Sequence, residues 1–184
     1  GDVYKRQDLS RIIDVPAVGE YYDLYVKHDA KATAATETKI VKTTGNPLIT
    51  TNQEKVGSSS ITFEQSSGDD SVYFDNALSD FSLKNDFTIE AWIRPSTVSS
   101  YHTISSWWNA NPGSNNTFRF SIFLGYLTFN LAADGGAGND VTTLTSTTVI
   151  SKDVWTHVAI TKEGDTLRLY VNGTKESQQV GSSY

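Results

Sequence analysis

Cysteine is absent from this 184-residue chain, which removes a disulfide framework, a thiol nucleophile and a thiolate metal site at once. Compartment stays open, because a chain of this length can be stable with or without cross-links. Methionine is absent too, even at position 1, so the chain reads as a processed product, a fragment or an open-ended reading frame. Residues Gly1 to Gln7 show no structural pattern and are left out of fold reasoning. Basic charge is scarce: 15 Lys and Arg stand against 21 Asp and Glu, a net −6, with no basic run. Binding nucleic acid through phosphate neutralisation is therefore not expected. No apolar run approaches the roughly 18 to 20 residues that span a bilayer, and no signal-peptide pattern opens the chain, so membrane insertion is not expected either.

What is present suits strands joined by short turns. Ser and Thr abound, aromatics make up 11%, and 13 Gly stand against 4 Pro. Asn85 to Pro95 alternates Phe87, Ile89, Ala91 and Ile93 against Thr88, Glu90, Trp92 and Arg94, the pattern of a half-buried strand that Pro95 ends. Further strands are predicted at Ser60 to Phe63, Val72 to Phe74, Tyr101 to Trp107, Thr117 to Leu124, Tyr126 to Leu131, Val154 to Lys162 and Thr166 to Asn172. Hairpins are expected at Leu124-Gly125, at Glu163-Gly164-Asp165 and at Asn172-Gly173, with a return strand over Thr174 to Val180. Before Ser58 the pattern weakens: Glu20 to Asp29 is a weak strand, and Lys31 to Thr44, where Ala32, Ala34 and Ala35 favour helix and threonines oppose it, suits a linker or a thin edge strand at Lys39 to Lys42 as well as a helix. Many short strands without a 3.6-residue period give an all-β antiparallel two-sheet sandwich. Phe87, Ile89, Trp92, Trp155, Val158, Ile160, Leu167, Leu169 and Val171 are its expected core.

Five motifs in order, Ser58 to Phe63, Asp69 to Phe74, Asp86 to Pro95, Trp155 to Ala159 and Leu167 to Gly173, are similar to the laminin G-like domains of the concanavalin A-like lectin/glucanase superfamily, in its bacterial and phage branch. The resemblance implies a jelly-roll sandwich over residues 57–184, preceded over residues 1–56 by an extension or the end of another domain. It also implies a closing strand beyond Asn172-Gly173; no matching motif follows, so truncation there is expected. The implied role is non-catalytic: a recognition or attachment module of a virion or an extracellular surface, binding glycan or a neighbouring structural protein, and compatible with a homo-oligomer. A structural decoration or spacer is the alternative. A glycoside hydrolase is disfavoured, since retention needs two carboxyls about 5 Å apart, and Glu90 is followed by Trp92 and Arg94 where a second carboxylate would stand.

Tyr101, His102, Trp108, Asn109 and Asn111 gather the residue types of a sugar site, a flat apolar ring face beside amide and imidazole groups. The alternative reading has Trp107 and Trp108 serving the core. Calcium is the cofactor to consider, with Asp134, Asn139 and Asp140 on a glycine-rich loop as hard oxygen ligands and Asp69, Asp70 and Asp75 as a second acidic group; hairpin geometry alone also explains such loops. His157 is expected to be a hydrogen-bonded structural histidine, and Glu90 an inward or edge-paired carboxylate.

Overall fold

The computed structural model describes residues 22–23, 40–63, 70–74, 83, 85–107, 117–132 and 141–181. Contacts divide the chain into two compact units, Gly1–Asp80 and Phe81–Tyr184. Among the described residues every regular element is a strand and every pairing is antiparallel.

The first unit holds β1 (Tyr22–Asp23), β2 (Ile40–Thr44), β3 (Leu48–Thr50), β4 (Ser60–Thr62) and β5 (Ser71–Phe74). They form a sheet of order β1-β2-β5 and a separate pair β3-β4. The stretch that suited helix and strand alike is β2, and it is central in its sheet: Ile40, Val41, Thr43 and Thr44 are β-branched and favour the extended form. Gly45 turns the chain at φ 73°, and a Cβ there would collide with the Asp70 carboxylate. That carboxylate accepts the Asn46 N–H at 2.9 Å, so Asp70 fastens this turn. Asp69 and Asp75 lie outside the described residues.

The second unit is the sandwich. Its strands are β6 (Phe87–Ile93), β7 (Tyr101–Trp107), β8 (Phe118–Phe123), β9 (Tyr126–Ala132), β10 (Val141–Val149), β11 (Thr156–Glu163), β12 (Thr166–Val171) and β13 (Thr174–Val180). One sheet runs β7-β8-β9-β10 and the other β6-β11-β12-β13. Period-2 alternation sends Phe118, Phe120 and Ile122 inward from β8 and Leu127, Phe129 and Leu131 from β9, against Val158 and Ile160 of β11 and Leu167, Leu169 and Val171 of β12. Phe87, Ile89, Ala91 and Ile93 of β6 complete the layer. Phe129 is the hub, with ring centroids 6.1 Å from Phe87 of the opposite sheet, 6.1 Å from Phe120 and 6.3 Å from Phe118. Each such side chain contributes about 1.5–3 kcal/mol by leaving water.

Turn chemistry sets the register. Leu124 (φ 49°) with Gly125 (φ 86°), and Asn172 (φ 49°) with Gly173 (φ 78°), place two successive residues at positive φ, the type I′ geometry that matches strand twist. Asp86, just before β6, accepts the Gly164 N–H at 2.8 Å and so fixes the β11–β12 hairpin against the start of β6.

Three expectations change. Trp155, expected in the core, is half-buried and lies outside the buried cluster. Strand β10 was not anticipated, because among its residues of described burial only Leu144 and Ser146 are buried, and it otherwise reads as a threonine-rich loop. Trp92 was expected in the core and lies instead on the outer surface of β6, 40% exposed. Its parity is that of Thr88 and Glu90; the inward positions belong to the smaller Ile89, Ala91 and Ile93.

On the side of the sandwich between β10 and β13, Glu176 of β13 bonds directly to β10. Glu176 Oε2 accepts the N–H of Thr147 at 3.0 Å, the N–H of Thr148 at 2.9 Å and the hydroxyl of Thr147 at 2.6 Å, while Oε1 accepts the hydroxyl of Thr148 at 2.8 Å. These bonds form where β10 bulges away from β9, between Thr145 and Val149, freeing two backbone donors. The threonine hydroxyls, ahead of the backbone amides, hold the Glu176 carboxyl down at about 2.

Candidate functional site

The outer face of the β7–β10 sheet collects the groups with recognition chemistry. Paired residues of an antiparallel sheet share a face, so the register reads that face row by row. Tyr101 of β7 pairs with Phe123 of β8, which pairs with Tyr126 of β9, giving an aromatic row across three strands. The next row is Thr103, Ser121, Thr128 and Thr145, and the next Ser106, Arg119, Asn130 and Thr143. Among the described residues the three rows hold one charged side chain, Arg119, and no carboxylate.

The face is organised by its own contacts. Tyr101 and Phe123 stack at 4.1 Å between centroids, with 23° between planes, and the Arg119 guanidinium sits 4.6 Å from the Tyr101 centroid. To reach that ring from its own row, the Arg119 side chain crosses the Ser121–Thr103 row. This explains why Ser121 faces outward and is 0% exposed. Below it Ser121 Oγ and Thr128 Oγ1 share a hydrogen bond at 2.8 Å, and Asn130 Nδ2 donates to Thr143 Oγ1 at 2.8 Å. With Phe123 and Arg119 against its ring, Tyr101 offers a ligand chiefly its hydroxyl and outer edge, although it is 49% exposed. Tyr126, 40% exposed, is the more open aromatic of the row.

Of the residues singled out in the sequence, Tyr101 lies on this face and His102 does not. His102 pairs with the buried Ile122, so its side chain leaves β7 on the opposite side, where Nε2 lies 3.2 Å from Thr97 Oγ1. Adjacent residues of a strand cannot serve one face. Trp108, Asn109 and Asn111, and the calcium candidates Asp134, Asn139 and Asp140, lie outside the described residues. Among the described residues no group of three His, Asp or Glu side chains could hold a metal ion. Sequence reasoning missed Arg119, Phe123, Tyr126 and Asn130; the available signal was parity, since each alternates with a core residue of β8 or β9.

On the opposite sheet, Glu90 is exposed on edge strand β6, and its Oε2 lies 3.3 Å from His157 Nε2, so the carboxylate is edge-paired and the histidine structural in its contacts.

A family model for the concanavalin A-like lectin/glucanases superfamily, of the laminin G kind, matches residues 66–184. The chain belongs to this superfamily. No curated protein matches it in sequence. Among solved structures, the binding domain of botulinum neurotoxin DC in complex with rat synaptotagmin II is similar at 17% identity, with a TM-score of 0.58, over 79% of this chain and 36% of that one. The receptor-binding domain of the botulinum neurotoxin C/D mosaic serotype is similar at 19% identity, with a TM-score of 0.57, over 78% and 34%. A botulinum neurotoxin type C structure, described as dependent for cell entry on two ganglioside molecules, aligns at 17% identity, with a TM-score of 0.57, over 79% and 35%. Identities this low carry the fold and nothing finer, and the chain spans about a third of the length of those chains.

Proposed function

We propose that the superfamily member described here is a non-catalytic recognition module that binds a glycan through the outer face of its β7–β10 sheet, in the setting of a virion or cell surface. The observation that carries this reading is the aromatic row Tyr101–Phe123–Tyr126 bordering rows whose exposed members, Thr103, Ser106, Thr143 and Thr145, present hydroxyls, with the Asn130 amide held to Thr143 by a hydrogen bond. A sugar has an apolar C–H side and a rim of hydroxyls, and an apolar ring edge beside fixed donors and acceptors meets both. Preorganised side chains lose little further entropy on binding. The absence of Asp and Glu from these rows, among the described residues, favours recognition over glycoside hydrolysis, which needs two carboxyls. Similar solved structures being binding domains agrees in kind.

A glycan array tests the reading, with wild type, Tyr126→Ala and Asn130→Ala, each run with calcium and with chelator. The expected result is binding by wild type that weakens at least tenfold in both variants while near-ultraviolet circular dichroism is unchanged. Equal binding by all three proteins would move the site elsewhere. A second reading, a spacer seated on a neighbouring protein, is favoured by the first unit, where Leu48, Ile49, Val56, Ile61 and Phe63 are all exposed.

A further inference from the structure

We infer that the outer face of the β6–β11–β12–β13 sheet carries a second, independent sugar-binding subsite, centred on Trp92, Glu90 and His157. It does not use the β7–β10 face. Trp92 pairs with His157 across β6 and β11, and in the adjacent row Glu90 pairs with Ala159, which pairs with Tyr170 of β12. Ala159 faces outward and is 6% exposed, between Glu90 and Tyr170 in its row, with Trp92 and His157 in the adjacent row.

The group is held in place by its own contacts. The His157 backbone is pinned twice to the Asn172 turn: its N–H donates to Asn172 Oδ1 at 3.0 Å, and its carbonyl accepts the Asn172 N–H at 2.8 Å. Its ring then lies 5.2 Å from the Trp92 ring, inclined at 59°, with Nε2 3.3 Å from the Glu90 carboxylate. Those contacts orient an exposed carboxylate beside an exposed indole. The indole takes the C–H side of a pyranose, and the carboxylate oxygens accept two neighbouring hydroxyls.

The test uses arrayed neutral oligosaccharides, with wild type, Trp92→Ala, Glu90→Gln and Tyr126→Ala. The subsite predicts neutral glycans that wild type and Tyr126→Ala bind alike and that Trp92→Ala binds at least tenfold more weakly. Glu90→Gln, a surface change that leaves folding intact, should weaken the same glycans. Titration with a bound neutral glycan should also shift the Trp92 indole N–H resonance in wild type. Glycan binding lost in Tyr126→Ala alone, with Trp92→Ala unaffected, would overturn the subsite and leave the first face standing. Loss in Trp92→Ala alone would support the subsite and remove the first face. No binding by folded wild type would overturn both.

Discussion

Glu176 offers the most quantitative test of how the sandwich is held. Four donors from Thr147 and Thr148 converge on its carboxylate. All four favour the charged form, which is why the pKa falls from 4.5 to about 2. A folded pKa below the unfolded one means the charged form stabilises the fold. That stability is fully present above the unfolded value and is lost as pH falls through the folded value, in the window from about 5 down to about 2. Taken at face value the difference corresponds to ~3.4 kcal/mol. The group is only partly buried, so solvent screening reduces this to about 1–2 kcal/mol. Glu176→Gln is the sharpest perturbation. The amide keeps the shape, its oxygen can still accept the two backbone N–H groups, and its NH2 can donate to the Thr148 hydroxyl; only the charge is lost.

Two units need not unfold together, so a local readout is preferable to a global melt. Hydrogen exchange at the amides of Thr147 and Thr148 reports opening of the β10–β13 side directly. Glu176→Gln should speed that exchange by about 5- to 30-fold at pH 7, the ratio that 1–2 kcal/mol represents. The difference between the proteins should shrink as pH falls and vanish near pH 2. Carboxyl resonances in wild type should give a midpoint near 2 for Glu176. A midpoint near 4.5, or a difference that stays constant from pH 7 to pH 2, would refute the account.

Other consequences follow from the same structure. Phe129→Ala should destabilise the sandwich by about 3–5 kcal/mol, because the lost ring touches both sheets, and denaturant unfolding followed by near-ultraviolet circular dichroism measures it. Trp92→Ala should cost about 1 kcal/mol or less in the same assay; a loss of 3 kcal/mol or more would return Trp92 to the core. Asn172→Ala should cost about 1–2 kcal/mol, since alanine disfavours φ 49° and cannot accept the His157 N–H. Gly125→Val should cost more than Gly173→Ala, because an added Cβ at Gly125 already comes within 3.3 Å of Val149 whereas the space at Gly173 is open.

Much of the fold was legible because the information is local. Tyr101–Trp107 and Thr174–Val180 have the predicted bounds, and the Asn172-Gly173 turn has the predicted positive φ at both residues. Alternation and turn chemistry act over a few residues, so one sequence suffices to read them. Strand β10 failed the same test for a physical reason. It lies at the edge of its sheet, its buried positions are Leu144 and Ser146, and Ser146 is satisfied by the Leu127 N–H and the Thr148 carbonyl rather than by apolar packing. Polar inward positions erase the hydrophobic period. In the first unit β2 was ambiguous because Ala32, Ala34 and Ala35 ahead of it favour helix while threonines and its own β-branched residues favour strand, and pairing with both β1 and β5 decided it.

The candidate sites were harder to read because a site is a property of a face, and a face is assembled by register. Tyr101 and His102 look like one site in the sequence, yet one residue of separation on β7 sends them to opposite sides of the sheet. Arg119 and Tyr101 are far apart in sequence, yet pairing of β7 with β8 brings a guanidinium against a phenol ring. Trp92 shows the converse error. Its size suggested burial, but the parity of β6 had already assigned the inward positions to Phe87, Ile89, Ala91 and Ile93. In a sandwich whose core lies on one parity, a large aromatic on the other parity leaves apolar surface in water. Such residues are therefore where to look for binding, and both proposed surfaces, Tyr126 on one sheet and Trp92 on the other, meet that criterion.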